Sequence, residues 1–188
     1  MKDKILCSMA VISFFLAFSA ASEAMANWYV AAGGGGGGET NRGNLRAEGG
    51  RYTTNHSVNY LFGFGLTFTL GRDDTPSDLH EHPAPHEDFT SLGKRDKGEE
   101  AGLYGKFGIE LVNRAGIFLL VYGGATWARE IELVQSNVTG RYYQESEKTK
   151  GYGLIGGGIG YFPRNHRFCL QLGYDNRMGI NGMAGFNW

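Results

Sequence analysis

The stretch Tyr60-Leu61-Phe62-Gly63-Phe64-Gly65-Leu66-Thr67-Phe68-Thr69-Leu70 constrains the fold of this chain more than any other. Side chains alternate across a strand. Tyr60, Phe62, Phe64, Leu66, Phe68 and Leu70 therefore share one face, and Leu61, Gly63, Gly65, Thr67 and Thr69 the other. A half-buried soluble sheet also alternates. It seldom does so over so long a run, with large rings on one side and glycine or threonine opposite. A tilted transmembrane strand needs about 9–11 residues with an apolar lipid face and a small or polar inner face.

The pattern recurs along the chain. Leu103, Phe107, Ile109 and Leu111 alternate with Tyr104, Lys106, Gly108 and Glu110. Ile117, Leu119, Val121, Ala125 and Trp127 share a face, although Phe118, Leu120 and Tyr122 make the opposite one apolar too. Phe168, Leu170, Leu172 and Tyr174 alternate with Cys169, Gln171, Gly173 and Asp175. Ile180, Ala184, Phe186 and Trp188 share a face in the last strand, Met178–Trp188. Tyr152–Phe162 is a glycine-rich strand whose outward face is left unassigned.

Short turns must alternate with connections at the opposite end, and this orders the chain. Turns fall at Thr54–Ser57, Asn113–Gly116 and Pro163–His166; the opposite connections are Arg72–Glu100, Val134–Lys148 and the brief Asn176-Arg177. The first strand is Trp28–Gly36, and Gly33–Gly38 either closes it or opens the following loop. A second strand near Arg46–Thr53 is required by topology, although its residues offer no convincing lipid face. The strand spanning Val58 to Leu70 comes third.

The expected fold class is all-β: an eight-stranded antiparallel up-and-down transmembrane β-barrel over residues 27–188. Lipid satisfies no backbone edge, so the strands must close. Eight strands leave an interior that side chains fill, so no open channel is expected. Tyr29, Tyr161, Tyr174 and Trp188 are expected near strand ends, where aromatic girdles form. Lys106, Glu110, Gln171 and Asp175 are expected in the lumen, with Lys106 paired to Glu110 or to a carboxylate of a neighbouring strand. A soluble secreted sandwich is the competing fold.

The N-terminus reads as a cleaved secretory signal over residues 1–26. Lys2 and Lys4 precede an apolar run, Ile5–Phe18, and Ala24-Met25-Ala26 is a small-x-small cleavage site. An uncleaved anchor and a cut nearer Ala21 are the alternatives. Cys7 leaves with the signal, so Cys169 has no partner and no internal disulfide is expected. A formal net charge of −1 offers no basic excess for nucleic acid. Glycine is the compositional outlier, 31 of 188 residues, without a collagen period.

The signal, the eight-strand pattern and the Ile180–Trp188 ending resemble the small Gram-negative outer-membrane barrels of the OmpA transmembrane-domain and OmpX type. The segments "GGRYTTNHSVNYLFGFGLTF" and "GGGIGYFPRNHRFCLQLGYDNR" look like that family's hairpins around periplasmic turns. The resemblance implies a monomer in the bacterial outer membrane, surrounded by lipid and lipopolysaccharide. It also implies that Ile180, Ala184, Phe186 and Trp188 form the signal read by the barrel-assembly machinery. The family's usual last residue is phenylalanine, from which Trp188 departs. No residues remain for the peptidoglycan-binding domain that follows the barrel in OmpA.

A structural or surface-interaction role is the expected function, and segment 72–100 is the candidate contact with an extracellular partner. His80, His82 and His86, among carboxylates in Asp78–Asp88, are weak candidates for a metal site, with a solvated loop as the plainer reading. Pro83 and Pro85 discourage the helix that would gather such ligands. No cofactor and no catalysis are expected. Lipid A deacylase barrels carry a histidine–serine motif near the C-terminus, where this chain has Tyr174-Asp175-Asn176-Arg177-Met178. His56 and His166 fall at turns on the opposite side from outer-leaflet chemistry. Neither glycine string, Gly33–Gly38 or Gly156–Gly158, is followed by the lysine of a phosphate loop. A lipid-modifying enzyme and a narrow pore or ligand carrier are the rival functions.

Overall fold

Eight strands pair antiparallel in chain order, and the last returns to the first, closing a barrel. The computed structural model describes residues 26–54, 57–70, 75–81, 88–164 and 167–188. The signal expected over 1–26 lies outside them except for the backbone of Ala26, and so do His56, His82, His86 and His166. The strands are β1 (Ala26–Gly37), β2 (Arg42–Thr53), β3 (Tyr60–Leu70), β4 (Phe89–Val112), β5 (Ile117–Ser136), β6 (Tyr142–Tyr161), β7 (Phe168–Asp175) and β8 (Gly179–Asn187). The closing seam runs from Tyr29 opposite Asn187 to Gly36 opposite Ile180. Trp28 and Trp188 exchange backbone hydrogen bonds of 2.9 Å in both directions at its end.

The period of two builds the wall and sorts its chemistry. Leu66, Phe68, Leu103, Ile109, Leu119 and Val121 stand outward, whereas Leu61, Thr67, Phe118 and Leu120 are buried inside. Arg46, Glu48, Lys106, Gln171 and Asp175 are buried inside as well. On β6 the outward residues are Ile155, Ile159 and Tyr161, and Leu154 turns inward. Of the residues expected in aromatic girdles, Tyr161, Tyr174 and Trp188 face out. Tyr29 does not: it is 1% exposed, and Trp28, at 48%, holds the outward place beside it. Parity decides this, because Val30 is also outward and the residue between the two must point in.

The second strand is longer and better patterned than its residues suggest. Leu45 and Ala47 face out, and Asn44, Arg46 and Glu48 face in. Between Leu45 and Arg51 its outer row is small, not missing. Gly33 to Gly37 belong to β1 and pair with β2, and Gly33 to Gly36 pair with β8 as well. A Cβ on Gly33 would lie 2.0 Å from the Gly182 carbonyl oxygen, and one on Gly35 1.8 Å from that of Ile180. Only glycine lets the seam approach so closely.

Two expected loops contain strand. Phe89–Glu100, the last part of segment 72–100, belongs to β4, and most of Val134–Lys148 belongs to β5 and β6. Beyond the rim where β3 and β7 stop, β4, β5 and β6 continue as a three-stranded extension. A bulge between Asp96 and Glu100 marks the rim on β4. There Gly98 takes a φ of +81° and donates its N–H to Asp96 Oδ1 at 2.9 Å. Side chains in the extension meet water on most sides, so the apolar alternation that marks the wall is absent, and the residues read as loop. Ile131, Leu133, Val134 and Tyr143 are nevertheless buried there, and Val134 stands opposite Tyr143.

Candidate functional site

The interior is layered from the end that carries the termini towards the distal end. The first layer is aromatic. Phe162 follows β6, is fully buried, and packs against Tyr29, Tyr52 and Phe118 at ring-centre distances of 4.9, 5.4 and 5.6 Å. Ala31, Leu61, Leu120, Cys169 and Met183 complete this cluster. Such rings fill the narrow bore and contribute edge-to-face contacts beyond their burial.

The second layer is ionic. Glu48 accepts hydrogen bonds from Lys106 Nζ, from Tyr104 Oη at 2.9 Å and from Gln171 Nε2 at 2.6 Å; Gln171 Oε1 in turn accepts from Lys106. Arg46 pairs with Asp175, whose Oδ1 also accepts the backbone N–H of Arg177 at 3.1 Å and of Met178 at 2.6 Å. The Arg46 guanidinium lies 5.3 Å from the Tyr104 ring centre and 5.8 Å from that of Tyr122. Two cations thus meet two anions in a water-poor space. Buried pairs are retained only when further hydrogen bonds offset desolvation, as they do around Glu48 and Asp175.

The ends carry smaller clusters. Near the termini, Glu110 accepts from Asn59 Nδ2 and, at 2.7 Å, from the Gly116 N–H, with Arg164 at 3.8 Å. At the distal mouth, Arg177 makes a two-pronged contact with Glu100, both bonds 2.8 Å, and reaches Glu39 at 3.3 Å.

The structure therefore gathers Lys106 and Gln171 in one network and places Asp175 in the adjoining pair. Lys106 is not paired with Glu110. The two lie four residues apart on one strand, about 13 Å, and so occupy different levels of the bore. The partner is Glu48 on β2, across the lumen and not on a strand next to β4. Sequence reasoning missed Arg46 and Glu48, although the alternation of Asn44, Arg46 and Glu48 with Leu45 and Ala47 carries the signal. It also treated Arg177 as a mere turn residue.

Outside the bore, the extension is laced by ion pairs. Lys97 meets Glu147 at 2.9 Å, Arg129 meets Glu147 at 3.0 Å and Glu99 at 3.4 Å, and Lys150 meets Glu130 at 3.1 Å. Tyr152 donates to Glu130 at 2.6 Å. That bond, joined by the Lys150 ammonium, holds the Glu130 carboxyl below the usual range. His80 docks on the edge of β6: its N–H donates to Tyr142 O, and its carbonyl accepts from Gln144 N–H, both at 2.9 Å. Its ring lies 5.3 Å from that of Tyr143. No group of metal ligands forms among the described residues. Ile180, Phe186 and Trp188 are strongly exposed outward, and Ala184 shares their face.

No protein-family model matches the chain, and no curated protein does. Among solved structures, the chain is similar to Ail, the attachment invasion locus protein of Yersinia pestis, at 11% identity. That match covers 87% of this chain and 95% of Ail, with a TM-score of 0.42. A major outer membrane protein from Thermus thermophilus matches at 11% identity, covering 87% and 100% with a TM-score of 0.46. Neisserial surface protein A matches at 10% identity, covering 86% and 92% with a TM-score of 0.32. Likenesses this distant assign neither ligand nor role.

Proposed function

We propose that the protein is an outer-membrane β-barrel of bacteria that conducts nothing through its interior and meets partners outside the cell with the β4–β5–β6 extension. The observation that carries this reading is the inverted distribution of side chains. Large apolar residues cover the outside of the wall, while arginine, lysine and carboxylates fill the inside. Water would penalise such a surface, and lipid requires it. On β5 the outward apolar row runs from Ile117 to Trp127 and gives way to Arg129, a length that suits one crossing. Long connections belong outside; the longest, between β3 and β4, shares the distal end with the extension, which favours termini inside and the extension on the cell surface.

The aromatic layer and the paired charges support a closed lumen rather than a pore or carrier. A rigid sheet extension offers a partner a preformed surface, for which ordering entropy is already spent. No catalytic role is assigned, and the interior polar groups serve as a structural plug. The outward face of Ile180, Ala184, Phe186 and Trp188 is the surface offered to the barrel-assembly machinery, and the mature protein is a monomer.

Two measurements test this. Outer-membrane fractions should show a band whose gel mobility changes on boiling; a soluble, unshifted protein would overturn the membrane reading. Val138 lies in the β5–β6 turn and is 74% exposed. V138C should react with a membrane-impermeant maleimide on intact cells, with little background because Cys169 is buried. A cysteine labelled only after cell disruption would invert the orientation.

A further inference from the structure

The outer wall is not evenly filled. Across β8, β1 and β2 the outward positions Ala184, Ala32, Ala47 and Gly49 floor a groove of about 730 Å3, with Phe64, Leu66 and Phe186 among its walls. One row nearer the termini on β2 stands Arg51, on the same outward face and directly opposite Trp28. Its guanidinium carbon lies 4.8 Å from the Trp28 ring centre. Its Nε is buried without a hydrogen-bond partner. Among the described residues, none of the ion pairs uses it.

A cation on the lipid side of a barrel is tolerated near an interface and penalised at depth. Trp28 marks the interface, where tryptophan concentrates. From Arg51 to Ala47 is four residues, about 13 Å along the strand and about 10 Å along the membrane normal at a tilt near 40°. That is close to half of an apolar band about 25 Å tall. The groove thus spans one leaflet, from headgroup height to the midplane. What fits is a fixed anion at the mouth with hydrocarbon along the floor. A guanidinium is suited to a phosphodiester, which it can hold through two hydrogen bonds.

We infer that this groove seats one phospholipid of the periplasmic leaflet, with its phosphate on Arg51 beside Trp28 and an acyl chain over Gly49, Ala47 and Ala32. The assignment rests on the membrane reading above. Lipopolysaccharide would place its phosphates at the opposite rim, and a second copy of the chain would leave the Arg51 charge unmatched.

The test uses the full mature chain refolded in detergent micelles with limiting phosphatidylglycerol and lipopolysaccharide in equal amount, and native mass spectrometry to count and identify retained lipid. The wild type should retain one phospholipid. R51Q should lower retention about tenfold, the loss of one charge-assisted contact, whereas R51K should keep most of it. G49L should lower it with Arg51 intact. A Cβ on Gly49 meets nothing nearer than 3.5 Å, so leucine can fill the floor without moving the backbone. R129Q, at the distal rim, should change nothing. Equal retention by wild type, R51Q and G49L would overturn the inference, as would retention of lipopolysaccharide alone or of a second protein copy in place of lipid. The two failures are separable. A chain that gives no heat-modifiable species in micelles sinks the membrane reading, and a folded, heat-modifiable wild type that retains no lipid sinks only the groove.

Discussion

Gly65 on β3 and Tyr104 on β4 stand directly opposite each other, and a Cβ on the glycine would lie 2.3 Å from Cζ of the tyrosine. The same arrangement recurs at Gly63 beneath the Tyr29 hydroxyl and at Gly173 beneath that of Tyr122, at 2.2 and 2.5 Å. These glycines are the space in which inward tyrosines lie. G65A should displace the Tyr104 ring and break its bond to Glu48, costing about 1–3 kcal/mol as overpacking does. Urea unfolding in micelles reads the cost. In a Y104A background the same substitution should be nearly silent, and an unchanged penalty there would show that the ring is not the obstacle.

Glu48 and Lys106 should behave as a unit. E48A leaves the lysine ammonium buried without its anion and should cost about 3–5 kcal/mol. Replacing both, as E48M with K106M, should recover most of that, because two apolar chains of similar length need no charge partner. A double variant as unstable as the single one would mean that Arg46 and Asp175 depend on the pair for their own positions.

Phe162→Ala removes the ring at the centre of the aromatic layer and should cost about 3–5 kcal/mol. The ionic layer remains above it, so planar-bilayer recordings should stay silent. Conductance steps in this variant alone would show that the rings, and not the charges, seal the bore.

The extension should loosen in acid before the wall does. Glu130 titrates below its ordinary value of 4.5, chiefly through the Tyr152 hydrogen bond. A depressed carboxyl contributes stability above its unfolded pKa and loses it as pH falls through the folded one. Amide protection around Glu130 and Lys150 should therefore drop in hydrogen exchange as pH falls below the ordinary glutamate range, while wall strands hold. The Y152F variant should shift that loss to higher pH. Extension and wall losing protection together would contradict it.

The barrel itself was legible because lipid imposes one rule on the outer wall, and the outward rows of β3, β7 and β8 carry no charged residue. The rule fades where its cause is absent. Beyond the rim water wets most of the sheet, so Lys94 to Glu100 and Glu145 to Lys148 read as loop although they are strand. In β2 the outward residues between Leu45 and Arg51 are Ala47 and Gly49, too small to register. That concealed Arg46 and Glu48, and with them the true partner of Lys106. Cross-lumen pairs join strands that are not neighbours in the sheet, and no local spacing reveals them. By alternation alone Phe162 marks the end of a strand, because insertion into the bore depends on the curvature of the closed wall.

The seam between β1 and β8 has a kinetic consequence. It joins positions about 160 residues apart, such as Tyr29 and Asn187, so the ring can form only after every other hairpin has a place. Contacts of that separation carry the largest loop-closure entropy and the slowest search. Until they form, both the first and the last strand expose an unpaired edge to any neighbouring chain. Escorts that shield those two strands during transit should therefore govern the yield of folded protein more than any interaction inside the finished wall.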